Sequence, residues 1–258
     1  MNIIEMEPAP VRQRTPQGLL LHCGGRVVGR EELLAVPTPE GTETWYPLDH
    51  GAILEEVEGQ LGTTGFTIEG ERHALSHGGM RYFAVLAVSL PGRIEDEYQW
   101  VVGLRNSHDM TYPAGLVAGT HVLVCSNLAF CGEVRISRKH TRFAMRDLRH
   151  LVARAVGQLG ERFRSLDARV AAYKEARVPD WLAHDVVIRA ADCRAITVSQ
   201  IPDVLKEWRR PEHEAFRPRN AWSLFNAFTG VYREINPHTA LRRGEALHGL
   251  FDAVVGMS

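Results

Sequence analysis

Apolar residues recur at spacings of three and four from Met145 through Leu148, Val152, Ala155, Leu159, Phe163, Leu166, Val170 and Tyr173. That period, held for eight turns, predicts an amphipathic helix from about Thr141 to Arg177. Gly157 and Gly160 weaken it locally, by about 1 kcal/mol each relative to alanine. Upstream the period shortens towards two. Phe66, Ile68 and Leu75 mark a first strand region. Residues 82–90 form a second, nearly all apolar and so buried on both faces, and residues 98–104 a third with Trp100, Val102 and Leu104 on one side. His77-Gly78-Gly79 and Pro91-Gly92 supply turns. A fourth strand, residues 121–125, is expected after a loop running from Arg105 to Gly119.

On either side of this block the signals are shorter. Residues 19–22 and 26–28 flank Gly24-Gly25, the pattern of a tight hairpin. Asp49 or His50 caps a helix that carries Ile53, Leu54, Val57 and Leu61 on one face and ends at Gly62 and Gly65. Pro179 suits the first turn of a helix over 180–192, and Ser199 a cap for a short helix through Trp208. Pro211 and Pro218 bracket an extended linker. Asn220 caps an aromatic helix with Trp222, Phe225, Phe228, Tyr232 and Ile235, ended by Pro237, and residues 241–255 form one more. The fold class is therefore α+β: an antiparallel β-meander in the N-terminal half, then a long amphipathic helix and a helical C-terminal half. Residues 1–258 are expected to form one integrated unit, β-rich over 1–140 and helical over 141–258.

Composition sharpens this picture by exclusion. The chain is 45% hydrophobic and 24% charged, which excludes a disordered tail, a collagen-like fibre and a small disulfide scaffold. Its longest apolar runs fall far short of the roughly 20 residues of a membrane span. Residues 1–10 carry acids and prolines in place of a secretory signal, and Cys23, Cys125, Cys131 and Cys193 have no CxxC spacing. A cytoplasmic location is expected. The formal charge of -1 conceals an uneven distribution, with only Lys139, Lys174 and Lys206 among 30 basic residues that are otherwise arginine. From Arg135 to Lys174 there are 11 basic residues against Asp147, Glu161 and Asp167, a local charge of +8, which leaves -9 on the remainder. Such asymmetry marks a polyanion-binding surface.

Candidate chemistry is sparse. Arg105-Asn106-Ser107-His108-Asp109 places five polar side chains after a buried strand. They read either as a binding loop on a rigid sheet or as turn chemistry, since Asn, Ser and Asp bond their own backbone in turns. Cys125 with His121 and Asn127 invites a thiol nucleophile, but four residues of strand put the first two about 13 Å apart, and a structural cysteine fits better. The 12 histidines show no metal-ligand spacing, although Asp109 and Asp147 leave a Mg²⁺ site open. No phosphate-binding glycine motif is present, and no cofactor is implied. The basic segment is the remaining signal. On a helical wheel with Met145 at 0°, Arg142, Arg146 and Arg149 fall at about 60°, 100° and 40°, beside the apolar stripe. Arg135, Arg138, Lys139 and His140 precede them. Tyr112, Phe130 and Phe143 are aromatic neighbours able to stack on bases.

Several blocks carry a resemblance. They are Val102-Gly103-Leu104-Arg105-Asn106-Ser107-His108-Asp109, Val124-Cys125-Ser126-Asn127-Leu128-Ala129-Phe130 and Arg138-Lys139-His140-Thr141. Pro47-Leu48-Asp49-His50, Asn220-Ala221-Trp222 and Asn226-Ala227-Phe228-Thr229 complete the set. Together they resemble an uncharacterised phage/plasmid-like protein family, over about residues 18–250. Ser126 departs from the family pattern, which often has an acidic residue there. The resemblance implies a mobile-element context without a chemistry. The order short helix, three-stranded meander, long basic helix is also similar to the core of single-strand annealing recombinases, which form rings on single-stranded DNA.

The function expected from these observations is non-catalytic binding of nucleic acid, single-stranded DNA above all, by a homo-oligomer. Arg135, Arg138, Lys139, Arg142, Arg146 and Arg149 would contact phosphates, and Arg105 and Asn106 sugar or base. The competing expectation is a metal-assisted hydrolase acting on nucleic acid, with its site at the 105–109 loop plus His50 or His140.

Overall fold

The alternating half of the chain closes into a six-stranded antiparallel sheet whose spatial order is its sequence order. The computed structural model describes residues 25–92, 98–122, 128–232 and 237–257. The strands are β1 (Arg26–Val28), β2 (Thr67–Ser76), β3 (Arg81–Ser89), β4 (Tyr98–Ser107), β5 (Ala114–Val122) and β6 (Leu128–Arg138). Helices α1 (Arg30–Leu34) and α2 (His50–Thr63) lie between β1 and β2 in sequence. After the sheet come α3 (Ala144–Glu175), α4 (Asp180–Asp192), α5 (Ile201–Arg209), α6 (Ala221–Gly230) and α7 (Pro237–Val255). The class is α+β. None of the helices among the described residues is long and apolar enough to cross a membrane.

One face of the sheet presents Leu75, Tyr82, Leu86, Val88, Trp100, Val102, Leu104 and Leu116 to α2 and α3. The spacing of apolar positions decides which side of α3 turns inward: Leu148, Val152, Ala155, Leu159, Phe163 and Leu166 are all buried there. Trp100 stacks on Phe163 with ring centroids 4.6 Å apart, and Phe66 meets the same ring edge-on at 5.9 Å. The Tyr98 hydroxyl and the Trp100 indole N–H both donate to Asp167, at 2.6 and 2.9 Å, so this acid of the basic segment is held against the sheet. Further along, Val170 and Tyr173 of α3 enter a second cluster with α4 to α7. α2 begins as expected, with the Asp49 carboxylate accepting from the Ala52 N–H at 2.8 Å.

Several expected boundaries are corrected. The stretch 105–119 is mostly strand: β4 continues through Ser107, β5 begins at Ala114, and only 108–113 connect them. Its polar residues tolerate a strand because they find partners inside the protein, as shown below. β5 is described as far as Val122, and Cys125, the expected end of that strand, lies outside the described residues. Residues 19–24 of the expected hairpin also lie outside them, and β1 pairs with β2, Arg26 opposite Leu75. α3 starts at Ala144, three residues after Thr141. A 3₁₀ turn, Val198–Gln200, precedes α5, and its cap is Thr197, whose N–H donates to the Gln200 side chain at 3.0 Å. A second such turn, Glu214–Phe216, interrupts the supposed linker. α6 stops at Gly230, so Tyr232 lies beyond it, and Ile235 is outside the described residues.

Candidate nucleic-acid interface and the adjoining histidine cluster

Two groups of side chains meet at the segment joining β6 to α3. The first is buried. Asn106, on β4, points inward beneath the start of α2, where its Nδ2 donates to Leu48 O at 2.7 Å and to His50 Nδ1 at 2.8 Å. His50 Nε2 is 3.0 Å from Gly79 O. A carbonyl only accepts, so the His50 proton sits on Nε2 and Nδ1 is free to take the amide proton. By the same reasoning His108 donates from Nε2 to Leu48 O at 2.8 Å. The His50 and His108 rings stack 3.8 Å apart and nearly parallel, at 5°. His140 completes the group, roofed by Trp45 at 6.2 Å between ring centroids.

All three imidazoles are buried, His50 at 1% exposure. Burial, followed by the neighbouring His108, lowers the His50 pKa to about 4. The same two causes, in the same order, lower that of His140 to about 4. Both are therefore neutral near pH 7 and supply no positive charge. His108 Nδ1, His140 Nε2 and Asn106 Oδ1 are buried without a hydrogen-bond partner among the described residues.

Asp109 does not join this cluster. Burial raises its pKa, but hydrogen bonds from Thr111 and Arg81 outweigh that and hold it below the ordinary carboxylate value. Arg81 Nε reaches it at 2.6 Å and the Thr111 N–H at 3.1 Å. The Ser107 hydroxyl likewise ties the connection, donating to Tyr112 O at 2.7 Å. Turn chemistry thus describes Ser107 and Asp109, while Asn106 bridges to α2. Arg105 lies over the Tyr112 ring, 5.5 Å from its centroid. Among the described residues no group of three or more His, Cys, Asp or Glu side chains is placed to hold a metal ion.

The second group is exposed and sits at the entry to α3. Phe143, the N-cap residue, has 53% of its surface in solvent. Arg146 stands over its ring at 4.5 Å from the centroid and Arg142 at 5.9 Å. Lys139, Arg142, Arg146, Arg149, His150 and Arg154 are exposed around it. The sequence did not foresee how far acids offset these cations. Asp147 takes Arg138 Nη2 at 2.5 Å and Arg146 Nη2 at 3.3 Å, and Glu56 of α2 takes Arg149 Nε at 2.9 Å. Lys139 and Arg142 have no carboxylate partner among the described residues. Arg135 lies on β6 opposite Val117, and its side chain falls outside what is described.

Five of the eight expected contact residues, Arg138, Lys139, Arg142, Arg146 and Arg149, therefore lie along one stretch at the start of α3. Arg105 lies over Tyr112, and Asn106 is wholly buried. The arginine pairing with Asp147 was within reach of sequence reasoning as a first-turn acid. The Glu56 contact, 93 residues distant, was not.

A family model described as Domain of unknown function (DUF932) matches residues 42–248, about four-fifths of the chain. No curated protein and no solved structure matches it.

Proposed function

The chain belongs to the family described as Domain of unknown function (DUF932), and on the evidence of its own surface we propose that it binds single-stranded nucleic acid without catalysis. The observation that carries this reading is Phe143: a large aromatic ring, over half exposed, flanked by the guanidinium groups of Arg142 and Arg146. What distinguishes it from other exposed apolar side chains is the pair of guanidinium groups beside it. Base stacking on an aromatic ring within a cationic surface is how single strands are held without sequence preference. Lys139 and Arg149 extend the positive surface on which phosphates would run. Asn106 is left out of the contact set, because its amide is spent on Leu48 and His50. A mobile-element role in strand annealing, by a homo-oligomer, agrees with the resemblance of the sequence blocks.

Fluorescence anisotropy with single- and double-stranded oligonucleotides at two salt concentrations tests the proposal. Binding should be submicromolar at low salt and weaken steeply as salt rises. Phe143→Ala should weaken single-strand binding about tenfold, since stacking on one aromatic ring contributes roughly 1–3 kcal/mol. Flat anisotropy at micromolar protein, or an unchanged Kd in the variant, would overturn it.

A further inference from the structure

We propose that Asp147 occupies a phosphate position in this surface and acts as an intramolecular competitor that limits the affinity of the chain for a strand. The inference rests on the nucleic-acid reading above and names a device within it. The Asp147 carboxylate lies between two guanidinium groups from different elements. Oδ2 receives Arg138 Nη2 from the end of β6 at 2.5 Å, and Oδ1 receives both Nε and Nη2 of Arg146 at 3.3 Å. Two oxygens of one anion, each taken by a different arginine, are the arrangement that a phosphate would make there.

Three observations say that this position is open to replacement. Asp147 keeps 31% of its side chain exposed, Arg146 66% and Arg138 33%, and ion pairs this exposed are individually weak. Arg138 is not saturated by its partners: Nη2 serves Asp147 and Thr141, while Nε is buried without an acceptor. Finally, Asp147 lines a groove of about 370 Å³ together with Arg138, His150, Leu151 and Arg154. Its volume suits a small ligand or one unit of a larger one. The acid is the only negative charge of that lining, against two arginines.

The groove and the Phe143 ring lie on one side of α3. Residues 143, 147, 150 and 154 are spaced by four, three and four, about a third of a turn around from the buried positions 144, 148, 152 and 155. Four residues of helix separate Phe143 from Asp147, about 6 Å along the axis. A strand stacked on Phe143 therefore brings a phosphate to Asp147, which must yield Arg138 and Arg146 to it. The ligand class is the backbone phosphate of a single strand.

Asp147→Asn keeps the shape and removes the charge. A fluorescent single-stranded oligonucleotide should bind this variant about tenfold more tightly than the natural chain, with a log–log salt slope steeper by about one. Two controls separate the device from bulk charge. Glu161→Gln removes the same charge from an exposed position of the same helix and should change the Kd less than about twofold. Adding Arg138→Gln to Asp147→Asn should cancel the gain. Inorganic phosphate at millimolar concentration should compete little, whereas strong competition would assign the groove to a free phosphate and overturn the strand. Equal gains from Asp147→Asn and Glu161→Gln would overturn the competitor, while strand binding that depends on Phe143 would still support the parent reading. Binding by Asp147→Asn alone would support the competitor in its strongest form. Silence from both chains would overturn both.

Discussion

Acidification from about pH 7.5 to about pH 5 should destabilise this protein by several kcal/mol, because three buried histidines cannot take up the protons that the unfolded chain binds. His50 and His140 are lowered to about 4 by burial and the nearby His108. His248, enclosed by the rings of Tyr173 and Phe225, is lowered to about 3 by burial and the charge of Arg169. In the unfolded chain each titrates near 6.5. Above that value both states are neutral and nothing is gained or lost. Below it the unfolded state binds protons first, so stability falls with pH until the folded pKa is reached. At pH 5 each group then costs about 2 kcal/mol, and the three together about 6, a large part of an ordinary stability of about 5–15 kcal/mol. Urea unfolding followed by tryptophan fluorescence at both pH values gives the loss directly. His140→Gln is the informative variant, since its ring has no hydrogen bond to sacrifice among the described residues. It should remove about 2 kcal/mol of the pH dependence. Equal stability of the natural chain at the two pH values, or an unchanged loss in His140→Gln, would refute the reasoning.

Other perturbations test the framework beneath the surface by the same unfolding measurement. Asn106→Ala deprives His50 Nδ1 of its donor and leaves Leu48 O with His108 alone, a cost of about 2–3 kcal/mol. Should stability stay unchanged, the bridge from β4 to α2 is not structural. Asp49→Ala removes the side-chain cap of α2 and should cost about 1 kcal/mol. Gly79→Ala forces a side chain to φ +89°, where its Cβ also meets Val36 Cγ1 at 3.4 Å, and should cost about 1–2 kcal/mol.

What the sequence revealed followed the strength of its periodicity. The run from Leu148 to Tyr173 placed α3 because only one face of a helix could bury it, and helix 180–192 was bounded by Pro179 and the end of its apolar pattern. β6 and most of β5, whose residues 114–119 were read as loop, were missed for an opposite reason. Gly115 and Gly119 are side-chain-poor residues that read as loop, yet they serve as a strand because β4 and β6 pair with them on both sides. Such pairing is set by neighbours in space and leaves no local signature. Asn106 misled in the same way: an inward amide in a strand looks like turn chemistry until its partners on α2 are known. The positive patch was legible as charge, but its neutralisation by Glu56 depends on α2 packing beside α3.

The sequential order of the sheet also decides what is uncovered while the chain is being made. Each strand pairs with a neighbour in sequence, so residues 26–138 emerge first and hold all the contacts that the sheet needs within itself. The cover for one face, Leu148 to Leu166, follows only afterwards. Trp100, Val102 and Leu104 therefore face solvent for the time taken to add some thirty further residues, a few seconds at about 5–20 residues per second. Translation that slows at this point prolongs the exposure. The same interval ends abruptly, since α3 supplies its whole apolar side as one helix.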